Sequence, residues 1–370
     1  MLPFGYETDE DGAMSHLMLL PESRDALPML DQRDAVGLDT EFMREKTYYA
    51  ELCLVQVAAG ETLLGIDPKQ DDDQSAFWRR LGELDWVVHS ARQDLEVIYQ
   101  TTGVLPTELF DTQIAAGLIG LQPQLGYAAL VKELFDAELP KTHTRANWAR
   151  RPLPDEFLHY AAEDVEYLLP AADALAEKLD ARGRLEWARA DSALLLDRAL
   201  YEPDIDNAID RVKGARNLHG RRRSAAALLA GWREERAIQR NKPRQWILRD
   251  NVLMEIATRL PDSMRALAAI PDMPARFADR NGSAILDLVK QSAAEESDYR
   301  PPGAPDEAQK ALLKRMQAIV ARVARELGLA NEVVASRKEL SALITSNDRN
   351  SRVFRDWRRE LVGDELLALL

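Results

Sequence analysis

Apolar and polar residues alternate in short stretches through the first third of the chain and follow a helical period through most of the rest. The alternation predicts a strand over residues 35–42 and a hairpin whose arms, 48–59 and 62–67, flank Gly60. Shorter patterns predict strands at 16–20, 86–90 and 109–111 and helices at 75–84 and 93–102. Strands that alternate with helices after an initial hairpin are typical of a mixed-sheet α/β domain.

The rest of the chain is predicted to be helical and to fall into separate domains. Helical periodicity continues from residue 113 to 191, apart from a polar stretch at 141–151. An acidic, proline-containing stretch at 201–210 and a proline-rich one at 293–305 are typical of linkers. We therefore predict an α/β domain followed by two small all-α domains, with bounds at 1–205, 206–295 and 296–370.

Two acidic residues stand on one face of the predicted strand 35–42. Asp39 and Glu41 share that face with the small residues Ala35 and Gly37, whereas the other face is mostly apolar. Asp is uncommon inside strands, and two acids on one face repel each other. An edge strand with a solvated face is one explanation. The strand's place at the head of an α/β unit favours the other, a buried pair that needs a cationic partner.

Two further acids point from helices toward the predicted core. Asp94 shares a helix face with Val97 and Ile98, and Asp164 lies on an apolar stripe with Tyr160 one turn earlier on the same side. Each position alone has an ordinary explanation. Asp94 could be an acid favoured by the helix dipole, and Tyr160 could be a core tyrosine with a hydrogen-bonded hydroxyl.

The four acids together predict a metal site. Carboxylates that converge in a partly buried pocket destabilise one another through desolvation and repulsion. Two divalent cations would neutralise four charges, and oxygen ligands suit Mg²⁺ or Mn²⁺. A pair of such ions forms the clamp used for in-line phosphoryl displacement, with Tyr160 placed to hydrogen-bond the attacking water. The predicted catalytic residues are Asp39, Glu41, Asp94, Tyr160 and Asp164.

Composition restricts the cellular context. The chain has 370 residues, of which 46% are hydrophobic, enough for a sizeable core. Its one cysteine, Cys53, excludes an intramolecular disulfide and fits a reducing compartment. We find no apolar run of membrane-spanning length and no basic signal-peptide start, so we expect a cytoplasmic protein.

Charge is unevenly distributed along the chain. The net charge of −14 argues against a nucleic-acid coat protein, yet Lys and Arg far outnumber Glu over residues 211–249. A local basic patch can bind phosphates whatever the global sign, and a solvated helix face is the alternative. Because an acidic domain repels phosphates, a separate basic domain is a physically reasonable docking surface for nucleic acid.

At the acidic residues the chain resembles the DEDD exonuclease superfamily, in its tyrosine-containing subclass. The motifs are DTE at 39–41, a second centred on Asp94, and YxxxD from Tyr160 to Asp164. All three in this order, on a strand, a helix and a helix, form a strong signal. The segments LDTEF, LCLVQ, VVHSARQDLEV and NWARRPLPDEFLHYAAEDVEYLLP narrow the resemblance to the ribonuclease D family. It implies an RNase H-like fold and hydrolysis from the 3′ end.

The downstream segment carries a second resemblance. Trp232, Asn241, Pro243 and Asp250 belong to a pattern similar to the HRDC domain that RecQ-type helicases and ribonuclease D share. Residues 296–370 look like a second, diverged copy. The resemblance therefore implies an exonuclease domain over 1–205, an HRDC domain over 206–295 and an HRDC-like domain over 296–370.

Substrate contacts are predicted near the motifs and in the basic segments. The resemblance suggests that Thr40, Phe42 and Met43 contact the terminal nucleotide, although Phe42 is equally explained as a core residue. His89 and Gln93 border the second motif and could reach the scissile phosphate or sugar. A satisfied strand-end histidine is the alternative for His89. The other candidates lie in two polar segments, and a plainly solvated segment is the alternative for each. The loop before the third motif supplies Lys141, Arg145 and Trp148. The basic segment supplies Arg221, Arg222, Arg223, Lys242 and Arg244.

The expected activity is metal-dependent 3′–5′ hydrolysis of RNA with a single-stranded 3′ end, releasing nucleoside 5′-monophosphates. The resemblance implies tRNA precursors as the substrate class. A DNA exonuclease with the same site is an alternative, because nothing in the metal motifs senses the 2′-OH. A non-catalytic nucleic-acid-binding module predicts loss of a ligand, and all four acids are present. No heptad pattern requires a dimer and no protein partner is evident, so we expect a monomer.

Overall fold

The computed structural model describes residues 16–70, 73–139, 146–294, 297–299, 306–346 and 348–370. The chain forms two compact units. The first comprises residues up to Met43, Leu52–Tyr201 and Asp306–Leu370, and the second comprises Arg44–Glu51 and Glu202–Pro305. None of the described helices has the length and apolar character needed to cross a membrane.

A six-stranded mixed sheet forms the centre of the first unit. Its strands are β1 (Met18–Leu19), β2 (Ala35–Met43), β3 (Glu51–Ala59), β4 (Thr62–Ile66), β5 (Asp85–Val88) and β6 (Leu109–Asp111). The order is β1-β4-β3-β2-β5-β6, so β2 is an interior strand. β3 and β4 form the predicted antiparallel hairpin, whereas β1 with β4, β2 with β5 and β5 with β6 pair in parallel. The predicted mixed-sheet α/β class is confirmed.

Helices cover this sheet with the faces that their apolar periodicity predicts. They are α1 (Leu27–Leu30), α2 (Ser75–Gly82), α3 (Arg92–Thr102), α4 (Thr112–Leu118), α5 (Tyr127–Phe135), α6 (Asp155–Glu166), α7 (Leu168–Asp180) and α8 (Leu185–Ala193), with 3₁₀ turns at Ser23–Ala26, Leu194–Leu196 and Arg198–Leu200. For example, α6 buries Phe157, Ala161 and Val165, which recur every four residues.

A glycine in β2 lets α7 pack unusually close to the sheet. A Cβ atom added to Gly37 would lie 3.0 Å from Cβ of Leu168 and 3.2 Å from Cβ of Ala58. Leu168 is the first residue of α7 and follows Asp164 by one helical turn. The close approach at Gly37 therefore fixes the end of α6 near the strand that carries Asp39.

The second unit is helical and has its own core. It contains α9 (Gly220–Arg240), α10 (Arg244–Ile247), α11 (Asp250–Arg259), α12 (Met264–Ala268) and α13 (Ala275–Gln291), with 3₁₀ turns at Ala208–Arg211 and Ala215–Asn217. Leu229, Leu253 and Ile285 are fully buried in that core. The segment Arg44–Glu51 belongs to the same unit, where the Tyr48 hydroxyl donates to Glu234 Oε1 at 2.5 Å.

The C-terminal helices complete the core of the first unit. They are α14 (Glu307–Leu327), α15 (Asn331–Val334), α16 (Arg337–Ser346), α17 (Asp356–Arg358) and α18 (Asp364–Leu367), with a 3₁₀ turn at Arg352–Phe354 and a π turn at Arg359–Gly363. Met316 and Leu340 lie in one hydrophobic cluster with Ala115 and Leu175. Residues 306–370 thus share a core with the α/β elements, and their likeness to a second HRDC domain stays a prediction.

Candidate active site

Three of the four acids selected from the sequence converge at one end of β2. Asp39, Glu41 and Asp164 each offer a carboxylate oxygen, and these oxygens all lie within 4.8 Å of one another. Asp39 and Glu41 project from the same face of β2, as strand alternation requires, and Asp164 comes from the last turn of α6. All three side chains are half-buried and line a cavity of about 200 Å³.

The fourth acid, Asp94, lies beside this group in the first turn of α3. Its side chain is 7% exposed, and the Thr40 hydroxyl donates a hydrogen bond of 2.5 Å to Asp94 Oδ1. Asp94 is not one of the three acids whose oxygens converge within 4.8 Å. Its charge nevertheless raises the pKa of Asp39 and of Glu41, so it is electrostatically part of the site.

Burial and repulsion from neighbouring acids raise the pKa of all four carboxyl groups. Desolvation is the largest cause in each, and it raises the pKa of Glu41 to about 9 and those of Asp94 and Asp164 to about 7. The pKa of Asp39 is raised well above its usual range by burial and by the charges of Asp94, Asp164 and Glu41. Negative charge is therefore destabilised here unless a cation joins it.

The donor set fits a hard divalent cation. The residues that line the cavity in the described part of the chain include no lysine or arginine, so no basic side chain there neutralises the acids. Carboxylate oxygens at this spacing are the ligands that Mg²⁺ and Mn²⁺ prefer. A bound cation would favour the ionised carboxylates and so reverse the pKa shifts that burial causes.

Tyr160 stands one helical turn before Asp164 and hydrogen-bonds to it. The bond from the Tyr160 hydroxyl lowers the pKa of Asp164, against the larger opposite effect of burial. Burial and the charge of Asp164 raise the pKa of Tyr160 itself, so the hydroxyl keeps its proton and acts as a donor. The Trp148 ring supports Tyr160 at a centroid distance of 6.2 Å.

Tyr127 lines the same cavity, although no sequence motif marks it. The Tyr127 hydroxyl accepts a hydrogen bond of 3.0 Å from the backbone N–H of Tyr167, just after the end of α6. Its pKa is raised well above the usual range, chiefly by burial and further by the charges of Asp164 and Asp39. Only the tertiary fold brings α5 to this cavity, so a local pattern carries no signal for Tyr127.

His89 borders the cavity but is held by structural hydrogen bonds. Its Nε2 lies 2.9 Å from the carbonyl oxygen of Leu125, which can only accept, so Nε2 carries the proton. Nδ1 lies 2.9 Å from the Thr112 hydroxyl, which also donates to the carbonyl oxygen of Val88 at 3.3 Å. Burial lowers the pKa of His89. These contacts favour the strand-end histidine explanation over a direct role toward phosphate.

The other substrate-contact residues predicted near the motifs differ in exposure. Gln93 is exposed and Phe42 is half-buried, which leaves both alternatives for Phe42 open. Met43 is also half-buried and packs against a core cluster that contains Trp148. Trp148 is only 3% exposed and contacts the Phe157 ring at 4.9 Å, and its predicted contact with RNA stays a prediction. Thr40 is 5% exposed, and its hydroxyl already donates a hydrogen bond to Asp94. Two predicted positions lie outside the described residues, Lys141 and Arg145.

Several predicted basic contacts in the second unit are engaged in its own structure. The Arg244 guanidinium binds both carboxylate oxygens of Glu234, at 2.5 and 2.7 Å. The Arg223 guanidinium stacks 3.5 Å above the Tyr299 ring, and Arg221 donates to the carbonyl oxygen of Val289 at 3.2 Å. The two predicted cations that remain exposed are Arg222 and Lys242.

Fold and site together define the class of protein. The family model described as "3'-5' exonuclease" matches residues 21–180, and the model described as "HRDC domain" matches residues 223–289. Ribonuclease D from Gluconacetobacter diazotrophicus is 36% identical over 347 residues, which cover 90% of this chain and 87% of that protein. Ribonuclease D from Pseudomonas paraeruginosa is 37% identical over 346 residues, which cover 90% and 92%.

A solved structure agrees over nearly the whole chain. The crystal structure of Escherichia coli RNase D, described as an exoribonuclease involved in structured RNA processing, is similar with a TM-score of 0.86 at 27% identity, covering 96% of this chain and 98% of that one. The chain belongs to the ribonuclease D family. Its activity is that of a 3′–5′ exoribonuclease.

Proposed function

We propose that the protein hydrolyses RNA from the 3′ end with two divalent metal ions, Mg²⁺ or Mn²⁺, and releases nucleoside 5′-monophosphates. Asp39, Glu41, Asp94 and Asp164 would hold the ions. One observation carries the proposal: buried carboxylates converge at the end of β2, and no lysine or arginine lines their cavity in the described part of the chain. Such a cluster is stable as an ionised group only with bound cations.

The chain's own residues would prepare the reaction in three ways. Asp39 and Glu41 present oxygens from an interior strand, which holds them in fixed positions. Thr40 orients Asp94 through its hydroxyl. Tyr160, anchored on Asp164, would position the attacking water in line with the scissile bond. When bound, the metal ions would stabilise the charge on the attacking and leaving oxygens.

The proposed substrate is RNA with a single-stranded 3′ end, and tRNA precursors are the proposed class. The description of the E. coli enzyme, which names structured RNA processing, supports this choice. The match to the HRDC model supports a separate contact with the body of the RNA. We further propose that the protein acts as a monomer in the cytoplasm.

Metal dependence and the ligand set can be tested with a 5′-labelled RNA oligomer. EDTA should abolish degradation and Mg²⁺ or Mn²⁺ should restore it. Asp39→Ala should reduce the rate at least about 100-fold, while Asp34→Asn, which changes an exposed acid just before the same strand, should retain it. Activity that persists without divalent ions, or in the Asp39→Ala variant, would show that the assigned site is wrong.

The substrate can be tested with matched oligomers. RNA and DNA of the same sequence should be degraded at different rates, with RNA faster. Much faster degradation of DNA would overturn the RNA assignment. Precursor tRNAs with 3′ tails of different length should be shortened from the 3′ end to a common stopping point, which product mapping would reveal.

A further inference from the structure

An aromatic residue of the second unit is held at the surface by the fold around it. Trp246 is 62% exposed, the most exposed of the large apolar side chains that the structure describes. It belongs to α10, a single turn in which Arg244 is bound by Glu234 and Ile247 is buried. Because residues three apart share a helix face, these two anchors turn Trp246 outward.

The exposed ring forms one wall of a groove of about 660 Å³, which we call the Trp246 groove. Phe277 supplies a second aromatic wall, and Pro274 and Val252 add apolar surface. A pocket of this volume is large enough for a ligand the size of one or two nucleotides. Apolar surface that is clustered in a groove and rimmed by polar residues is typical of a binding site.

One cation lies beside the aromatic ring and a second lines the groove. The Lys242 ammonium lies 6.0 Å from the centroid of the Trp246 ring, and the exposed Arg249 lines the groove. Neither has an acidic partner among the described residues. One acid also lines the groove, Asp272, which accepts a hydrogen bond of 2.9 Å from Asn251 Nδ2. Arg249 and Asp272 thus line the groove, and Lys242 adds a second unpaired positive charge beside its tryptophan wall.

The contrast with neighbouring cations makes these two informative. Four arginines of the same basic segment are held in ion pairs with acids of the unit, namely Arg211, Arg223, Arg233 and Arg244. These four arginines therefore bind acids of their own unit. Lys242 and Arg249 are therefore the cations beside the exposed tryptophan that remain available for an external phosphate.

We infer that the Trp246 groove binds an unpaired nucleotide of the RNA, with its base stacked on Trp246 and its phosphates near Lys242 and Arg249. Stacking on an aromatic face combined with cations along the backbone is how proteins hold single strands without sequence preference. The unpaired cations at the groove and beside Trp246 favour a polyanion over an apolar peptide. The inference rests on the proposed RNA substrate and adds a second contact with it, remote in sequence from the carboxylate site.

The test compares full-length variants in EDTA, where turnover is prevented. Fluorescence anisotropy would measure affinity for a 5′-labelled single-stranded oligoadenylate and for a blunt RNA duplex of equal length. Trp246→Ala should weaken binding of the single strand by about 5- to 100-fold, the range expected for one lost base stack, and should affect the duplex less. Trp246→Phe should retain most of the affinity because it keeps an aromatic face.

Matched cation variants separate local contact from general charge. Lys242→Ala should weaken single-strand binding and lower its salt dependence by about one phosphate contact, whereas Lys290→Ala, an exposed lysine of α13, should do neither. An independent readout is tryptophan fluorescence, whose quenching by oligoadenylate should be smaller in Trp246→Phe than in the unchanged protein.

Single-strand affinity within twofold of the unchanged protein in Trp246→Ala would overturn the inference. So would equal losses for single strand and duplex, or an altered sedimentation coefficient with unchanged RNA affinity, which would assign the groove to self-association. Degradation of the same oligomer in Mg²⁺ would be measured in parallel. A normal rate beside unchanged affinity rejects only the groove, whereas no degradation by the unchanged protein rejects the proposed function.

Discussion

The hydrogen bond from Thr40 to Asp94 offers a sharp test of how the candidate metal site is assembled. The hydroxyl donates over 2.5 Å to a carboxylate that is 7% exposed. Thr40→Val replaces that hydroxyl with a methyl group of similar volume. The change therefore removes the hydrogen-bond donor and creates almost no cavity. We expect the variant to fold and to bind divalent ions more weakly.

The structure sets the size of this effect. Burial raises the pKa of Asp94 to about 7, and the Thr40 hydrogen bond opposes that rise. Without the donor the pKa of Asp94 should rise further, and protons should compete more strongly with the metal. A hydrogen bond to a charged group contributes about 1.5–3 kcal/mol, which corresponds to a loss in metal affinity of about 10- to 100-fold.

The assay is a titration of exonuclease rate with Mg²⁺ or Mn²⁺ at several pH values. Thr40→Val should need about 10- to 100-fold more metal for half-maximal activity, and the acid limb of its pH profile should move to higher pH. Saturating metal should recover most of the rate. Thr40→Ser keeps the donor and should resemble the unchanged protein. If both variants behave alike, or if the half-activating concentration does not change, the hydrogen bond does not organise the site.

Three further predictions concern the same cavity. Tyr160→Phe should lower the maximal rate by about 100- to 10,000-fold with little change in the half-activating metal concentration, and a small effect on rate would return Tyr160 to a packing role. Without metal, the folded protein should gain stability as pH falls from 9 toward 5. The folded pKa of Glu41 (about 9) and those of Asp94 and Asp164 (about 7) lie above unfolded values, so the folded state takes up protons in this window. Thermal melting in EDTA should show this trend reduced in Glu41→Gln, and Mg²⁺ should raise the melting temperature at pH 8 but not at pH 5. Gly37→Ala should lower the free energy of unfolding by about 1–3 kcal/mol, because Leu168 has to shift to make room for the added methyl group. An unchanged midpoint of denaturant unfolding would contradict the close packing.

Local sequence patterns were sufficient to predict the strand and the helices that carry the four acids. The two-residue period of β2 determines that Asp39 and Glu41 share a face, and the helical period places Tyr160 one turn from Asp164. The hairpin of β3 and β4 also follows from local signals, with Gly60 in the left-handed turn at φ 69°. The family motifs then supplied the order in which these elements contribute to one site.

Tertiary partners were beyond the reach of the same patterns. Arg244 and Arg223 count as free cations in a sequence, and only the fold shows their engagement with Glu234 and Tyr299. Trp148 follows a polar run yet is buried, because Phe157 and Tyr160 of the next helix pack against it. Such contacts depend on how elements assemble, a property that periodicity and net charge do not encode.

The core that α14 to α18 share with the α/β elements bears on how this enzyme tolerates chain breaks. Met316, Val320 and Leu343 bury their side chains among residues of the first two hundred positions. A chain that lacks these helices would therefore expose a large apolar surface on the nuclease part, at about 1.5–3 kcal/mol for each large side chain left uncovered. A chain that lacks residues 306–370 would carry all four predicted metal ligands and still leave part of the core of their unit uncovered, so we expect it to aggregate or to be degraded.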